Sequence, residues 1–151
     1  MIRNIIILIL STFLFNACDY RPIYSDKSVG DFSIEKISFN GDIEINNLID
    51  KKLKNYQKQD TSKKFGVDIT STYTKASQSK DASGKTTDYK ITIKVKFEID
   101  ANGKITTFQL QEDFLIKNLT NEFEENKYEK TKIENAINII INTFTIQLSQ
   151  I

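Results

Sequence analysis

The sequence predicts an α+β fold: a two-layer sandwich whose four-stranded mixed sheet carries two helices on one face, in the order β-α-β-β-β-α. Three observations lead there. Tyr89, Ile91, Ile93, Val95, Phe97 and Ile99 alternate with Lys90, Thr92, Lys94, Lys96, Glu98 and Asp100, which makes a strand with one buried and one wet face. Asn102-Gly103 follows as a hairpin turn and Thr106, Phe108, Leu110, Glu112, Phe114 and Ile116 form the returning strand. Two other stretches carry apolar residues at spacings of three and four, the helical period.

The remaining elements follow in order. Phe32, Ile34, Ile37 and Phe39 mark a first strand whose spacing slips by one near Glu35-Lys36, as a bulge would make it. Asn40-Gly41-Asp42 is a turn and a helix start. Ile45, Leu48, Ile49, Lys52, Leu53 and Tyr56 share one face of a helix over about residues 43–58, followed by a polar linker to Lys64. Phe65, Val67, Ile69, Ser71 and Tyr73 give the second strand, which becomes polar on both faces from Thr74 to Ser79. A right-handed crossover through the first helix sets strand 1 parallel to strand 2 or a neighbour. Lys80 to Lys85 is a turn, Asn118 to Lys127 an outward loop, and the last helix runs from about Tyr128, with Thr131 and Glu134 as a capping box. Its apolar face is Ile133, Ile137, Ile140, Ile141, Phe144 and Leu148.

Residues 1–17 differ in kind. Arg3 precedes the apolar run Ile5 to Leu10 and then Phe13-Leu14-Phe15, too short for a membrane span of about 20 residues but suited to an export signal. Ala17-Cys18 closes it as a bacterial lipoprotein signal does, with the Cys18 thiol joined to diacylglycerol and its freed amino group acylated. Phe15 and Asn16 depart from the usual lipobox, so an uncleaved anchor or an ordinary cleaved signal, with Cys18 a spare thiol, stays open. The domain reading is therefore a signal peptide over 1–17, a lipidated tether over 18–30 and one α+β domain over 31–151.

Composition narrows the chemistry. The chain has one cysteine and no histidine, which excludes a disulfide framework, a histidine metal site and an imidazole triad. Without Arg3 the basic and acidic residues are equal in number, at 20 each, against the basic excess of a nucleic-acid binder. The acidic groups Glu112-Asp113 and Glu122/Glu124/Glu125 read as solvated surface, and there is no phosphate loop or nucleophile elbow. The expectation is a non-enzyme with no cofactor and no metal. Lys75, Lys80, Lys85 and Lys90 flank the first β-hairpin, either as contacts for anionic groups or as charges that protect its edges.

Cys18-Asp19-Tyr20-Arg21-Pro22-Ile23-Tyr24 resembles the C-G-F-R-P-L-Y opening of the LptE-type LPS-assembly lipoproteins, also called rare lipoprotein B. It agrees at Cys18, Arg21, Pro22 and Tyr24, and Arg21-Pro22 combines the sole proline with the sole arginine after Arg3. The rest of the chain agrees in element order and length. The resemblance implies an outer-membrane lipoprotein facing the periplasm, anchored through acylated Cys18. Such a protein plugs an LptD-type β-barrel, assists its assembly and helps deliver lipopolysaccharide; Arg21 and the four hairpin lysines are candidate contacts. Asp19 replaces the family's glycine, and in enteric bacteria an aspartate there favours the inner membrane. The alternative is an auxiliary lipoprotein of an inner-membrane lipid transporter.

Overall fold

The computed structural model describes residues 32–57 and 61–151. Strand β1 spans Phe32–Gly41, helix α1 Ile43–Leu53, β2 Lys63–Lys80, β3 Thr86–Ala101, β4 Lys104–Lys117 and helix α2 Glu122–Ser149. The order is the predicted β-α-β-β-β-α. The four strands form one mixed sheet ordered β1-β2-β3-β4, with β1 parallel to β2 and the other pairs antiparallel. Chain connectivity explains this: tight turns join β2 to β3 and β3 to β4, whereas β1 reaches β2 only after α1 has reversed the chain.

Both helices cover one face of the sheet. Phe65, Val67 and Ile69 of β2 and Ile91, Ile93, Val95, Phe97 and Ile99 of β3 point into that layer, where they meet Ile45, Ile49 and Leu53 of α1 and the full predicted apolar face of α2. Phe97 stacks on Phe144 with ring centroids 4.0 Å apart, and each such buried side chain contributes about 1.5–3 kcal/mol. The predicted bulge in β1 falls between Ile34 and Lys36, so that Ile34, Ile37 and Phe39 all reach the helix side.

Gly41 ends β1 at a φ of +92°, and a β-carbon there would sit 1.9 Å from the Ser71 carbonyl oxygen. Asp42 then caps α1 by accepting from the Ile45 amide at 3.0 Å. Inside that turn the Ser71 hydroxyl donates to Asn46 Oδ1 at 2.7 Å, and Asn46 Nδ2 donates to the Asn40 carbonyl at 3.1 Å. Ser71 and Asn46 are both buried, so this neutral knot fixes the start of α1 on β2.

Two expectations are corrected. Helix α2 begins at Glu122, not near Tyr128: Asn121 caps it by accepting from the amides of Phe123 and Glu124, and three acids follow in the first turn. Thr131 lies within the helix and donates to the Lys127 carbonyl, so it caps nothing. Helix α1 ends at Leu53 and tightens into a 3-10 turn over Lys54–Tyr56, and the Tyr56 ring stacks on Phe32 at 5.5 Å.

Candidate functional site

The β2–β3 hairpin runs past the apolar core, and the inward positions of β2 record the transition. Val67 and Ile69 are buried, Ser71 is buried but hydroxylic, Tyr73 is half-buried, and Lys75 lies at the rim. At that rim the first turns of α2 bring two carboxylates onto the hairpin. Lys75 Nζ lies 3.2 Å from Glu125 Oε1 and 2.8 Å from Glu129 Oε2, and 4.6 Å above the Tyr89 ring. The Tyr73 hydroxyl donates to Glu129 Oε1, and the Leu119 amide donates to Glu125 Oε2 at 2.8 Å. Lysine, tyrosine and two glutamates thereby clamp α2 to the base of the hairpin. The expectation that Glu125 is solvated surface is corrected: its register on α2 turns it inward, onto Lys75.

The electrostatics follow from this geometry. Burial raises the Tyr73 phenol above its ordinary range, and the hydrogen bond to Glu129 raises it further. For Lys75 burial pulls downward, but hydrogen bonds to Glu129 and Glu125 and their charges outweigh it, leaving the ammonium raised. At neutral pH the cluster is a protonated phenol and a charged lysine held by carboxylates. Both shifts run opposite to those that prepare a base or nucleophile.

The four hairpin lysines do not form one patch. Lys75 is committed to the helix side. Lys90 is on the open face of the sheet, paired with Asp113 at 3.1 Å. Thr92 also donates to Asp113 at 2.7 Å, and these hydrogen bonds, Thr92 first and then Lys90, hold its carboxyl below its usual value. Lys80 and Lys85 flank the exposed tip, which Asp81 organises by accepting from the Ser83 amide, the Ser83 hydroxyl and the Lys85 amide at 2.6–3.0 Å. Cys18 and Arg21 lie outside the described residues.

A shallow apolar groove of about 440 Å³ lies at the far end of β4, lined by Asp88, Leu115, Ile116, Lys117, Leu119 and Tyr128. It was not legible in the sequence, because Leu119 and Tyr128 line one groove with Leu115 only through the α2 start that the polar run 118–127 concealed. No group of acidic or cysteine side chains with metal-binding geometry occurs among the described residues. No helix among them is long and apolar enough to cross a membrane.

No family model matches the chain, and no curated protein does. Solved structures do. The chain is similar to rare lipoprotein B from Shewanella oneidensis, with 11% identity and a TM-score of 0.53, over 76% of this chain and 97% of that one. Lipoprotein B from Nitrosomonas europaea gives 10% identity and 0.54, over 79% and 85%. A minor lipoprotein from Acinetobacter baumannii gives 15% and 0.51, over 77% and 93%. At such identities the likeness is one of architecture: the helix-backed sheet of this chain is the fold of these lipoprotein structures, rare lipoprotein B among them.

Proposed function

We propose that this chain is a lipid-anchored, non-enzymatic interaction protein of the outer-membrane LPS-assembly machinery. In this reading it plugs and assists assembly of an LptD-type β-barrel and helps pass lipopolysaccharide to the outer leaflet. One coincidence carries the reading: the Cys18 to Tyr24 motif resembles the lipoprotein opening of that family, and the rare lipoprotein B fold follows it in the same chain. Acylation of Cys18 would hold the domain on the membrane, since two or more acyl chains anchor stably. Lys80 and Lys85, exposed at the hairpin tip, are the lysines best placed to meet lipopolysaccharide phosphates, because Lys75 and Lys90 are engaged in ion pairs.

The test is extraction of the acylated protein in mild detergent, with identification of what accompanies it. Recovery with a large outer-membrane β-barrel supports the reading; a preparation free of any barrel overturns it. Asp19 favours a second reading, an auxiliary lipoprotein of an inner-membrane lipid transporter. Membrane fractionation separates the two, and Asp19→Gly moves the protein outward only if the second is correct.

A further inference from the structure

The chain contains two Asn-Gly pairs, Asn40-Gly41 and Asn102-Gly103, and the fold holds them in opposite ways. The pair matters chemically because glycine has no side chain to hinder its own amide nitrogen. That nitrogen can attack Cγ of the preceding asparagine and close a succinimide ring. To do so, the peptide between the two residues must swing until the nitrogen faces Cγ.

At Asn40-Gly41 the swing is obstructed. Asn40 is paired with Thr70 in the parallel ladder, and its carbonyl accepts from Asn46 Nδ2 at 3.1 Å. Gly41 packs so closely on β2 that a β-carbon would lie 1.9 Å from the Ser71 carbonyl oxygen. Rotating this peptide takes the Asn40 carbonyl away from the buried Asn46 side chain and drives Gly41 against β2. The junction at the start of α1 must therefore open first. Neither constraint exists at Asn102-Gly103. These two residues are the whole turn between Ala101 and Lys104, at φ of +54° and +88°, and both are exposed. Their peptide lies outside the ladder. Among the described residues it is held only by the Gly103 amide, which donates to Asp100 Oδ1 at 2.7 Å.

We propose that Asn102 is a site of spontaneous deamidation in the folded chain, that Asn40 is protected, and that the Gly103–Asp100 hydrogen bond sets the rate. In the first step the bond from Gly103 N to Asn102 Cγ forms and the bond from Cγ to Nδ2 breaks. The proton lost by the Gly103 amide leaves with Nδ2 as ammonia. Water then opens the ring at either carbonyl, leaving aspartate or isoaspartate, and nothing is oxidised or reduced. Asp100 opposes the first step by holding the Gly103 amide in the turn geometry. Either product sets a new carboxylate near Asp100. Isoaspartate also adds a main-chain carbon to a turn built for two residues, so conversion loosens the β3–β4 hairpin. This inference does not rest on the lipoprotein reading.

Incubating the detergent-extracted full chain at mildly alkaline pH and following its tryptic peptides by mass tests it. Residues 97–104 carry Asn102 and residues 37–51 carry Asn40, with fragmentation separating Asn40 from Asn46 and Asn47. In the folded protein, amide-to-acid conversion at Asn102 is expected to run at least about ten times faster than at Asn40, and the two rates should converge in concentrated urea. Equal rates in the folded protein, the same ratio persisting in urea, or no conversion of folded Asn102 over a period that converts it in urea overturns the proposal. Asp100→Ala should raise the Asn102 rate about fivefold, the effect of one lost hydrogen bond, and leave Asn40 slow. A rise at both sites, the mark of general loosening, or an unchanged rate at Asn102 would refute the part given to Asp100.

Discussion

Two polar assemblies tie the helices to the same strand, and they solve the problem in opposite ways. Ser71 secures α1 with neutral groups at 2% exposure, where the desolvation cost of a charge would be high. Two inward positions further along β2, Lys75 secures α2 with charges, and its side chain keeps 27% of its surface in water. Tyr73 lies between them and bonds to Glu129. Passing outward along one face of one strand, the chain exchanges hydrocarbon for hydroxyl, phenol and ammonium as water becomes available. Burial thus decides which kind of polar contact each position can sustain.

The comparison can be broken most severely at Gly41. Gly41→Ala places a methyl group within 1.9 Å of the Ser71 carbonyl oxygen at a φ of +92°, so strand end, cap and knot cannot all keep their places. A loss of about 3 kcal/mol or more is expected in urea unfolding; a loss below about 1 kcal/mol would mean that this junction is soft. Lys75→Met comes next. It leaves Glu125 and Glu129 facing each other with their cation gone, and should cost about 2 kcal/mol at neutral pH, less than a fully buried pair because water reaches the rim. Ser71→Ala removes the hydroxyl bonded to Asn46 and should cost about 1–2 kcal/mol.

Alkaline pH sharpens the contrast further. Tyr73 and Lys75 both have folded-state values raised above their ordinary 10.0 and 10.5. Each therefore stabilises the fold fully below its ordinary value, and that contribution fades as pH rises through the folded one. Wild type and Ser71→Ala should both lose stability above about pH 10, while Lys75→Met and Tyr73→Phe should each lose less; parallel curves for all four would refute the charged clamp. The smallest effect belongs to Asp81→Ala at the exposed hairpin tip. Global unfolding should not change, but hydrogen exchange at the Ser83 and Lys85 amides should accelerate.

Much of this was legible in the sequence because a half-buried strand and an amphipathic helix each write their period directly. β3 alternates along nearly its whole length, and the face from Ile133 to Leu148 never breaks step. What escaped notice was polar. Residues 118–127 contain no apolar period, yet Asn121 and the acids behind it are a helix start. Glu125 looks like any surface glutamate until Lys75, fifty residues earlier, is placed beneath it. Asn46 is not among the apolar residues that mark α1, and only the turn at Gly41 shows that it belongs to the knot. Long-range polar pairing leaves no periodic trace. Of the candidate contacts the sequence singled out, the structure engages Lys75 and Lys90 in ion pairs and leaves Lys80 and Lys85 at the hairpin tip.

The strand order β1-β2-β3-β4 has a kinetic consequence. Every strand lies beside its neighbour in sequence, so β2, β3 and β4 can assemble through two tight turns alone, whereas β1 must wait for α1 to carry the chain back. Local pairing forms faster than pairing that first closes a long loop. We expect the meander to constitute the folding nucleus and β1 to join late. Val95→Ala in β3 should then slow folding, and Ile37→Ala in β1 should chiefly speed unfolding; the reverse assignment in stopped-flow chevrons would refute this order. The edge that carries the bulge would then also be the last part of the sheet to form.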